Sequence, residues 1–178
     1  MTEKRISQRY AKALFLIAQE EKTMETIYND VLYIQKVLKS SRALRLMLIN
    51  PIISPYKKTR VFNDIFKESV QAITLRFLVF LVKKHREGLL SNIILEFIDM
   101  YNTLNNLLEV EIVSAIELND AIRKEVISNV ANMTNKTILP KFIINPKIIG
   151  GIQLKFDDYL YDASLKKQLE NLNYILTN

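Results

Sequence analysis

Apolar residues recur at every third or fourth position through residues 1–105, which is the spacing of amphipathic helices. Ser41 and the Ser54-Pro55 pair are typical helix starts, and Gly88 is a typical left-handed helix end. One row at helical spacing runs through Met24, Ile27, Val31, Ile34 and Leu38. The pattern predicts a bundle of six helices.

The longest uninterrupted apolar run covers residues 77–82. Because this run is apolar on all sides, it predicts a helix at the centre of the bundle. It is much shorter than the roughly 20 apolar residues that a membrane span needs. Neither a signal peptide nor an Arg/Ser-rich transit segment precedes the first helical pattern. We therefore expect a protein that is soluble or, at most, peripheral to a membrane.

Around Asn105-Asn106 the apolar period changes from helical to alternating, which is typical of strands. Asn119 is a candidate cap for one further helix. Short strands are predicted for residues 108–112, 141–144, 152–156 and 159–161. The predicted fold class is therefore mainly α, with an N-terminal six-helix bundle over residues 1–105 followed by a small α/β domain over residues 106–178.

Two of the three glycines, Gly150 and Gly151, stand side by side before the third of these strands. Glycine is favoured where the backbone needs positive φ or approaches another segment closely. Asp157-Asp158 predicts a turn, and Asp162 or Ser164 can cap a final helix. One face of that helix carries Leu165, Leu169, Leu172 and Leu176.

The charge is unevenly distributed along the chain. Residues 1–105 contain 17 lysine and arginine residues and 10 acidic residues, a net charge of +7, whereas residues 106–178 contain 8 and 9, a net charge of −1. This difference predicts two units with different partners. A basic surface can meet nucleic acid, anionic lipid or an acidic protein. The cations stand singly or in pairs, however, which is more typical of solvated helix faces.

No group of residues in the sequence has the spacing of a catalytic or cofactor site. The chain has no cysteine and one histidine, His85, which stands among three cations rather than beside a catalytic partner. The aspartates near the C-terminus lack the ligand spacing of an EF-hand, and Gly150-Gly151 is not followed by the Gly-Lys-Ser/Thr of a phosphate loop. We therefore expect no enzymatic activity, no cofactor and no metal.

Four segments spread over nearly the whole chain resemble the delta subunit of rotary ATP synthase, whose mitochondrial counterpart is the oligomycin-sensitivity-conferring protein. They are residues 6–15 (ISQRYAKALF), 48–66 with its Asn-Pro pair, 77–90 (FLVFLVKKHREGLL) and 148–165. The last segment carries the structural signature Gly150, Gly151, Asp162 and Ser164. It departs from the family pattern at Asp157-Asp158, where a glycine is usual. It departs again at Ala163, which replaces a glycine, so this position should not need positive φ.

The resemblance implies a non-catalytic stator subunit of a proton-translocating ATP synthase. Such a subunit links the catalytic head to the peripheral stalk, so that rotation is coupled to ATP synthesis. By resemblance, residues 1–105 bind the head and residues 106–178 bind the b-type stalk subunits. The location implied is the cytoplasmic face of the bacterial inner membrane, with membrane association only through the complex and no nucleic-acid partner.

The family binds the N-terminal helices of the alpha subunits mainly between its first and fifth helices. The corresponding positions in this chain are Tyr10, Ala13, Leu14, Ile17, Leu78, Leu81 and Val82. The small residues Ala11 and Ala13 would allow a partner helix to approach closely.

A basic helical adaptor that binds nucleic acid is the alternative, favoured by an isoelectric point of about 9.4. It would need clustered cations with exposed aromatic residues, whereas the eight tyrosines fall mostly on apolar rows. A small helical enzyme is a more distant alternative, because the polar groups for catalysis are missing.

Overall fold

The computed structural model of the chain describes residues 3–156 and 159–177. It is mainly helical with one small four-stranded sheet, which confirms the predicted fold class at that level. The chain divides into two compact units, with the boundary between Tyr101 and Asn102. The boundary predicted from the change of period lies four residues further along. Within the described residues, no helix is both long enough and apolar enough to cross a membrane.

In the described part of unit 1, from Glu3 onward, the chain forms six α-helices and one short 3-10 helix. They are α1 (Glu3–Glu20), α2 (Met24–Ser40), α3 (Arg42–Ile49), α4 (Pro55–Phe66), α5 (Ala72–Lys83), the 3-10 helix (Glu87–Leu89) and α6 (Leu90–Leu104), whose last turn crosses the boundary. The Ser41 hydroxyl accepts a hydrogen bond from the Leu44 N–H, and the Ser54 hydroxyl accepts one from the Lys57 N–H. Both predicted helix starts are therefore confirmed.

One apolar core lies between these helices. On α2 the predicted row is buried at Ile27, Val31, Ile34 and Leu38. The largest fully buried side chains of the unit are Leu14, Ile27, Ile34, Phe62, Phe66, Leu78, Leu81, Ile93 and Phe97. Aromatic rings from α1 and α6 meet in this core, where Phe15 and Phe97 pack edge to face with centroids 5.9 Å apart.

Two expectations about α5 were wrong. The helix is not buried on all sides, because Phe80 is 44% exposed. The left-handed residue that ends it is His85 (φ 54°), not Gly88, which lies in the following 3-10 helix. The His85 N–H donates to the Val82 carbonyl and the Arg86 N–H donates to the Leu81 carbonyl. This pair of bonds is a Schellman motif, so the helix closes before the chain reaches the glycine.

Two buried polar contacts tie helices of unit 1 together. The Asp30 carboxylate on α2 accepts hydrogen bonds from the Gln71 N–H (2.8 Å) and the Thr74 hydroxyl (2.6 Å), so it caps the start of α5. Lys58 on α4 lies 2.6 Å from the Glu87 carboxylate and also donates to the Leu48 carbonyl at the end of α3. Both side chains of this ion pair are more than nine-tenths buried.

Unit 2 is a small α/β unit. Its elements are β1 (Leu107–Ser114), α7 (Asp120–Thr134), β2 (Thr137–Ile144), a 3-10 helix (Pro146–Ile148), β3 (Ile152–Phe156), β4 (Tyr159–Asp162) and α8 (Leu165–Thr177). The strand order is β2-β1-β3-β4. β1 and β2 are parallel, with Leu107 opposite Thr137, while β3 pairs antiparallel with both β1 and β4. The four predicted strands are present, and β2 begins four residues earlier than predicted.

α7 covers the apolar face of this sheet. Leu108, Val110 and Ile112 of β1 are buried against Val130 of α7, as the alternating pattern predicts. On the opposite face, Glu111 of β1 is paired with Lys141 of β2. The Asn119 side chain accepts a hydrogen bond from the Ile122 N–H at 2.8 Å, which confirms the predicted cap of α7.

Candidate partner-binding surfaces

A shallow apolar surface follows α1 and α5, the two helices for which the sequence predicts a partner. The rings of Tyr10 on α1 and Phe80 on α5 have centroids 6.1 Å apart, so they mark where the two helices meet. Ala13 and Ile17 continue the surface along α1, and Ile17 is 39% exposed. We refer to Tyr10, Ala13, Ile17 and Phe80 as the α1/α5 surface.

Four of the seven residues predicted for this site lie inside the core instead. They are Leu14, Leu78, Leu81 and Val82, each at most 2% exposed. Their side chains hold the helices of unit 1 together, and a partner helix cannot reach them in this structure. Ala11 is buried as well, whereas Ala13 is exposed. The predicted residues that remain on the surface are therefore Tyr10, Ala13 and Ile17.

Phe80 was missed because residues 77–82 were interpreted as apolar on all sides. The signal that identifies it is the spacing of Ile73, Phe77 and Phe80, which places three large apolar residues on one face of α5. Leu78, Leu81 and Val82 occupy the other face, toward the core.

One cation lies beside the α1/α5 surface, because the Lys84 ammonium is 5.8 Å from the centroid of the Phe80 ring. Arg5, Arg9 and Lys12 of α1 are exposed as well, but they line a separate depression with Met100 of α6. An apolar strip with a cation beside it suits a helix that carries apolar residues on one face and acidic residues next to them.

In unit 2 the glycine pair makes a tight joint with the start of α8. Gly151 has φ +76°, and a Cβ atom on it would lie 2.3 Å from the Ala163 carbonyl oxygen. The Gly150 carbonyl accepts a hydrogen bond from the Leu165 N–H at 2.9 Å. Gly151 is thus explained by positive φ and close backbone approach, whereas a Cβ on Gly150 would lie 2.7 Å from the Leu165 side chain. Ala163 is not among the residues with positive φ, as expected.

Asp162 and Ser164 complete this joint. Asp162 accepts hydrogen bonds from the Gln153 side chain and the Ser164 N–H, both at 2.9 Å. The Ser164 hydroxyl accepts one from the Lys167 N–H, so Ser164 is the cap of α8. Hydrogen bonds from the Ser164 hydroxyl and N–H hold the pKa of Asp162 below its ordinary value. The turn predicted at Asp157-Asp158 lies outside the described residues.

The apolar face of α8 is left uncovered. Leu165, Leu169 and Leu172 follow one another at intervals of four and three residues, and each is about half exposed. The side chain of the fourth predicted member, Leu176, lies outside the described residues. A helix with such a face is stable when a second apolar surface covers it.

The residues that the structure describes contain no group of three or more His, Asp or Glu side chains that could hold a metal ion. His85 is exposed at the end of α5. The surfaces with distinctive chemistry are therefore the apolar ones.

Comparison with known proteins agrees over the whole length of the chain. Residues 6–176 match the family model of the ATP synthase delta (OSCP) subunit. The ATP synthase subunit delta of Chlorobaculum parvum is 36% identical over 93% of this chain and 92% of its own. That of Pelodictyon phaeoclathratiforme is 35% identical over 97% of both chains.

A chain in the cryo-EM structure of the Toxoplasma gondii mitochondrial ATP synthase hexamer has the same fold. Its TM-score is 0.76 at 22% sequence identity, and the match covers 100% of this chain and 99% of that one. The family model, the relatives and the fold thus agree from α1 to α8. This chain belongs to the ATP synthase delta (OSCP) subunit family.

Proposed function

We propose that the chain is the non-catalytic stator subunit that links the catalytic head of a proton-translocating ATP synthase to its peripheral stalk. The observation that carries this proposal is the family match over residues 6–176, which spans both units. In this role the chain is a peripheral subunit on the cytoplasmic face of the bacterial inner membrane, attached to the membrane only through the complex.

A stator subunit needs a rigid body with two separate attachments, because the head must not turn with the rotor. Unit 1 supplies the first attachment in this proposal. Its six helices act as one bundle, and the α1/α5 surface receives the N-terminal helix of an alpha subunit. The exposed apolar side chains of Ile17 and Phe80 and the nearby Lys84 support this choice.

Unit 2 supplies the second attachment. The uncovered leucines of α8 at positions 165, 169 and 172 form a strip that a helix of a b-type stalk subunit can cover. Burial of such a strip contributes about 25 cal/mol for each Å² of apolar surface removed from water. The joint at Gly151 and Asp162 fixes where α8 begins, and it therefore fixes which way the leucines of α8 face.

The nucleic-acid alternative lacks support from the family match. The lysines and arginines also stand singly or in pairs along the chain, whereas a nucleic-acid interface needs them clustered.

A truncation after Asn105 tests whether unit 1 binds the head and unit 2 binds the stalk. We expect the truncated chain to bind the catalytic head and to fail to bind the b-type stalk. Membranes that carry it should hydrolyse ATP without efficient proton pumping, because the loss of one attachment uncouples head and rotor. The measurement is proton pumping in inverted vesicles beside the ATPase rate. Full coupling by the truncated chain would remove unit 2 from the stator role.

A substitution at Ala13 tests the α1/α5 surface. Since Ala13 is exposed, Ala13→Arg should leave the melting curve nearly unchanged while weakening binding to the head. Ala121→Arg is the matched control, because Ala121 is also an exposed alanine on a helix but lies on α7. Equal binding of the two variants to isolated heads would rule out the α1/α5 surface.

A further inference from the structure

A second apolar groove lies on unit 1, where α2 and α3 face α6 and the 3-10 helix that precedes it. Leu46 and Ile49 on α3 and Leu95 on α6 are at least half exposed. Two adjoining depressions of about 330 and 270 Å³ connect them, and both depressions are lined by Arg45 and Ser91. We refer to this surface, Leu46, Ile49, Ser91 and Leu95, as the α3/α6 groove. It shares no residue with the α1/α5 surface.

The groove is long enough to contact two turns of a partner helix. From Gly88 to Leu95 it follows about seven residues, which is roughly 10 Å or two turns of a helix. On α3, Leu46 and Ile49 are three residues apart, and on α6, Ser91 and Leu95 are four apart, so each helix presents one row of side chains. Leu38 and Lys39 of α2 form the wall beside Leu95. The small Ser91 between larger neighbours leaves room for the ridge of a partner helix.

The rim of the groove is basic. Arg42 and Arg45 line the first depression, and Lys39 and Arg45 line the second. Within the part of the chain that the structure describes, none of these three cations forms an ion pair. Among the residues that the structure describes, Glu87 is the single carboxylate that lines either depression, and its charge is paired with Lys58.

We propose that the α3/α6 groove is a second docking site of unit 1, and that its occupant is an acidic amphipathic helix of a partner protein. The apolar face of that helix covers Leu46, Ile49 and Leu95, and its carboxylates meet Arg42, Arg45 and Lys39. Charge complementarity selects this occupant, because a rim with three cations would repel a basic helix. The site does not depend on the proposed function, since it rests on its own exposed residues.

The pair Leu95 and Leu104 offers a matched test on one helix. Both are leucines of α6, exposed to 56% and 57%, but only Leu95 lines the groove. The probe is a fluorescent helical peptide of about 18 residues with leucines on one face and glutamates on the others. Binding is measured by anisotropy with the full chain carrying Ala13→Arg, which blocks the α1/α5 surface.

We expect Leu95→Asp to weaken binding of this peptide by about tenfold or more, because it places a carboxylate in the apolar centre of the contact. Leu104→Asp should change binding less than about twofold. Arg42→Glu should also weaken binding, and added salt should reduce the affinity of the parent protein. Thermal melts of all variants should coincide with that of the parent, since every changed side chain is exposed.

Three results would overturn the proposal. One is equal affinity of the Leu95→Asp and Leu104→Asp variants for the peptide. Another is equal binding of a peptide in which lysines replace the glutamates, since charge would then play no part. The third is a dimer in sedimentation velocity that Leu95→Asp dissociates, because the occupant would then be a second copy of this chain.

Discussion

The apolar row of α2 is covered by neighbouring helices, whereas that of α8 is not. Ile27, Val31 and Ile34 are almost completely buried, while Leu165, Leu169 and Leu172 are each about half exposed. The two helices have equally amphipathic sequences, so the pattern alone does not distinguish them. The difference lies in what surrounds each helix: α2 packs within a bundle, and α8 follows a small sheet whose apolar face α7 already covers. The apolar row of α2 is therefore covered within unit 1, whereas that of α8 remains exposed in unit 2.

Dividing the chain into its two units should produce the largest expected difference in stability. A fragment of residues 1–105 keeps α6 whole, since that helix ends at Leu104. It should be highly helical and melt cooperatively, because its core involves no residue of the sheet. A fragment of residues 106–178 should have a much smaller free energy of unfolding, since small domains bury too little surface. Circular dichroism of both fragments checks this, and a disordered first fragment would mean that the two units share a core.

Among single substitutions, one that removes the Lys58 charge should lower the free energy of unfolding the most. Lys58→Met leaves the buried Glu87 carboxylate without its partner, and removing one member of such a pair costs about 3–5 kcal/mol. The denaturant midpoint of unit 1 should fall while that of unit 2 stays unchanged. The double variant Lys58→Met with Glu87→Met should recover much of the loss, because no charge is then buried alone. A double variant no more stable than Lys58→Met would show that the ion pair itself is needed.

Two glycines can be compared directly. Gly151→Ala should destabilise unit 2 by about 1–3 kcal/mol, because Gly151 has positive φ and an added Cβ meets the Ala163 carbonyl. Gly88→Ala should be close to neutral, since its Cβ would lie 3.8 Å from the nearest atom, Ile49 Cγ2. Chemical denaturation of both variants measures the difference. Equal effects would mean that the joint before α8 carries no strain.

Low pH should lower the stability of unit 2 through protonation of Asp162. This is the smallest of the expected effects. The folded pKa of Asp162 lies below the ordinary value of 3.8 because the Ser164 hydroxyl and N–H donate to the carboxylate. The resulting stabilisation is fully present above the ordinary pKa and is lost as the pH falls through the lower folded value. Asp162→Asn should therefore flatten the loss of unit 2 stability below about pH 4. Ser164→Ala should flatten it partly, and an unchanged acid dependence in both variants would contradict this role.

Much of the fold could be predicted because local signals agree with it. Ser41, Ser54 and Asn119 cap helices where the sequence predicts, and each predicted strand is present. The end of α5 could not be predicted, because His85 takes the left-handed conformation three residues before the available glycine. The parallel pairing of β1 with β2 joins residues about 30 apart, and no local pattern specifies it.

The candidate site could be predicted only in part. The sequence indicates which helices carry apolar residues, but in a strongly apolar helix it does not indicate which side faces the core. The sequence therefore favours Leu78, Leu81 and Val82, which lie in the core, over Phe80, which is exposed. The α3/α6 groove has no sequence motif, since packing alone brings Arg45 of α3 close to Ser91 of α6.

The parallel β1–α7–β2 connection has a consequence for the order in which the chain folds. The two strands can pair only after the ribosome has synthesised the whole of α7 and β2. Leu107 therefore cannot pair with Thr137 until about 30 further residues have been made. Such nonlocal pairing is slow compared with helix formation. Synthesis runs at about 5–20 residues per second, so the helices of unit 1 have several seconds to assemble before the sheet can close. The end that emerges first from the ribosome thus completes its core first, while the later strands are still being made.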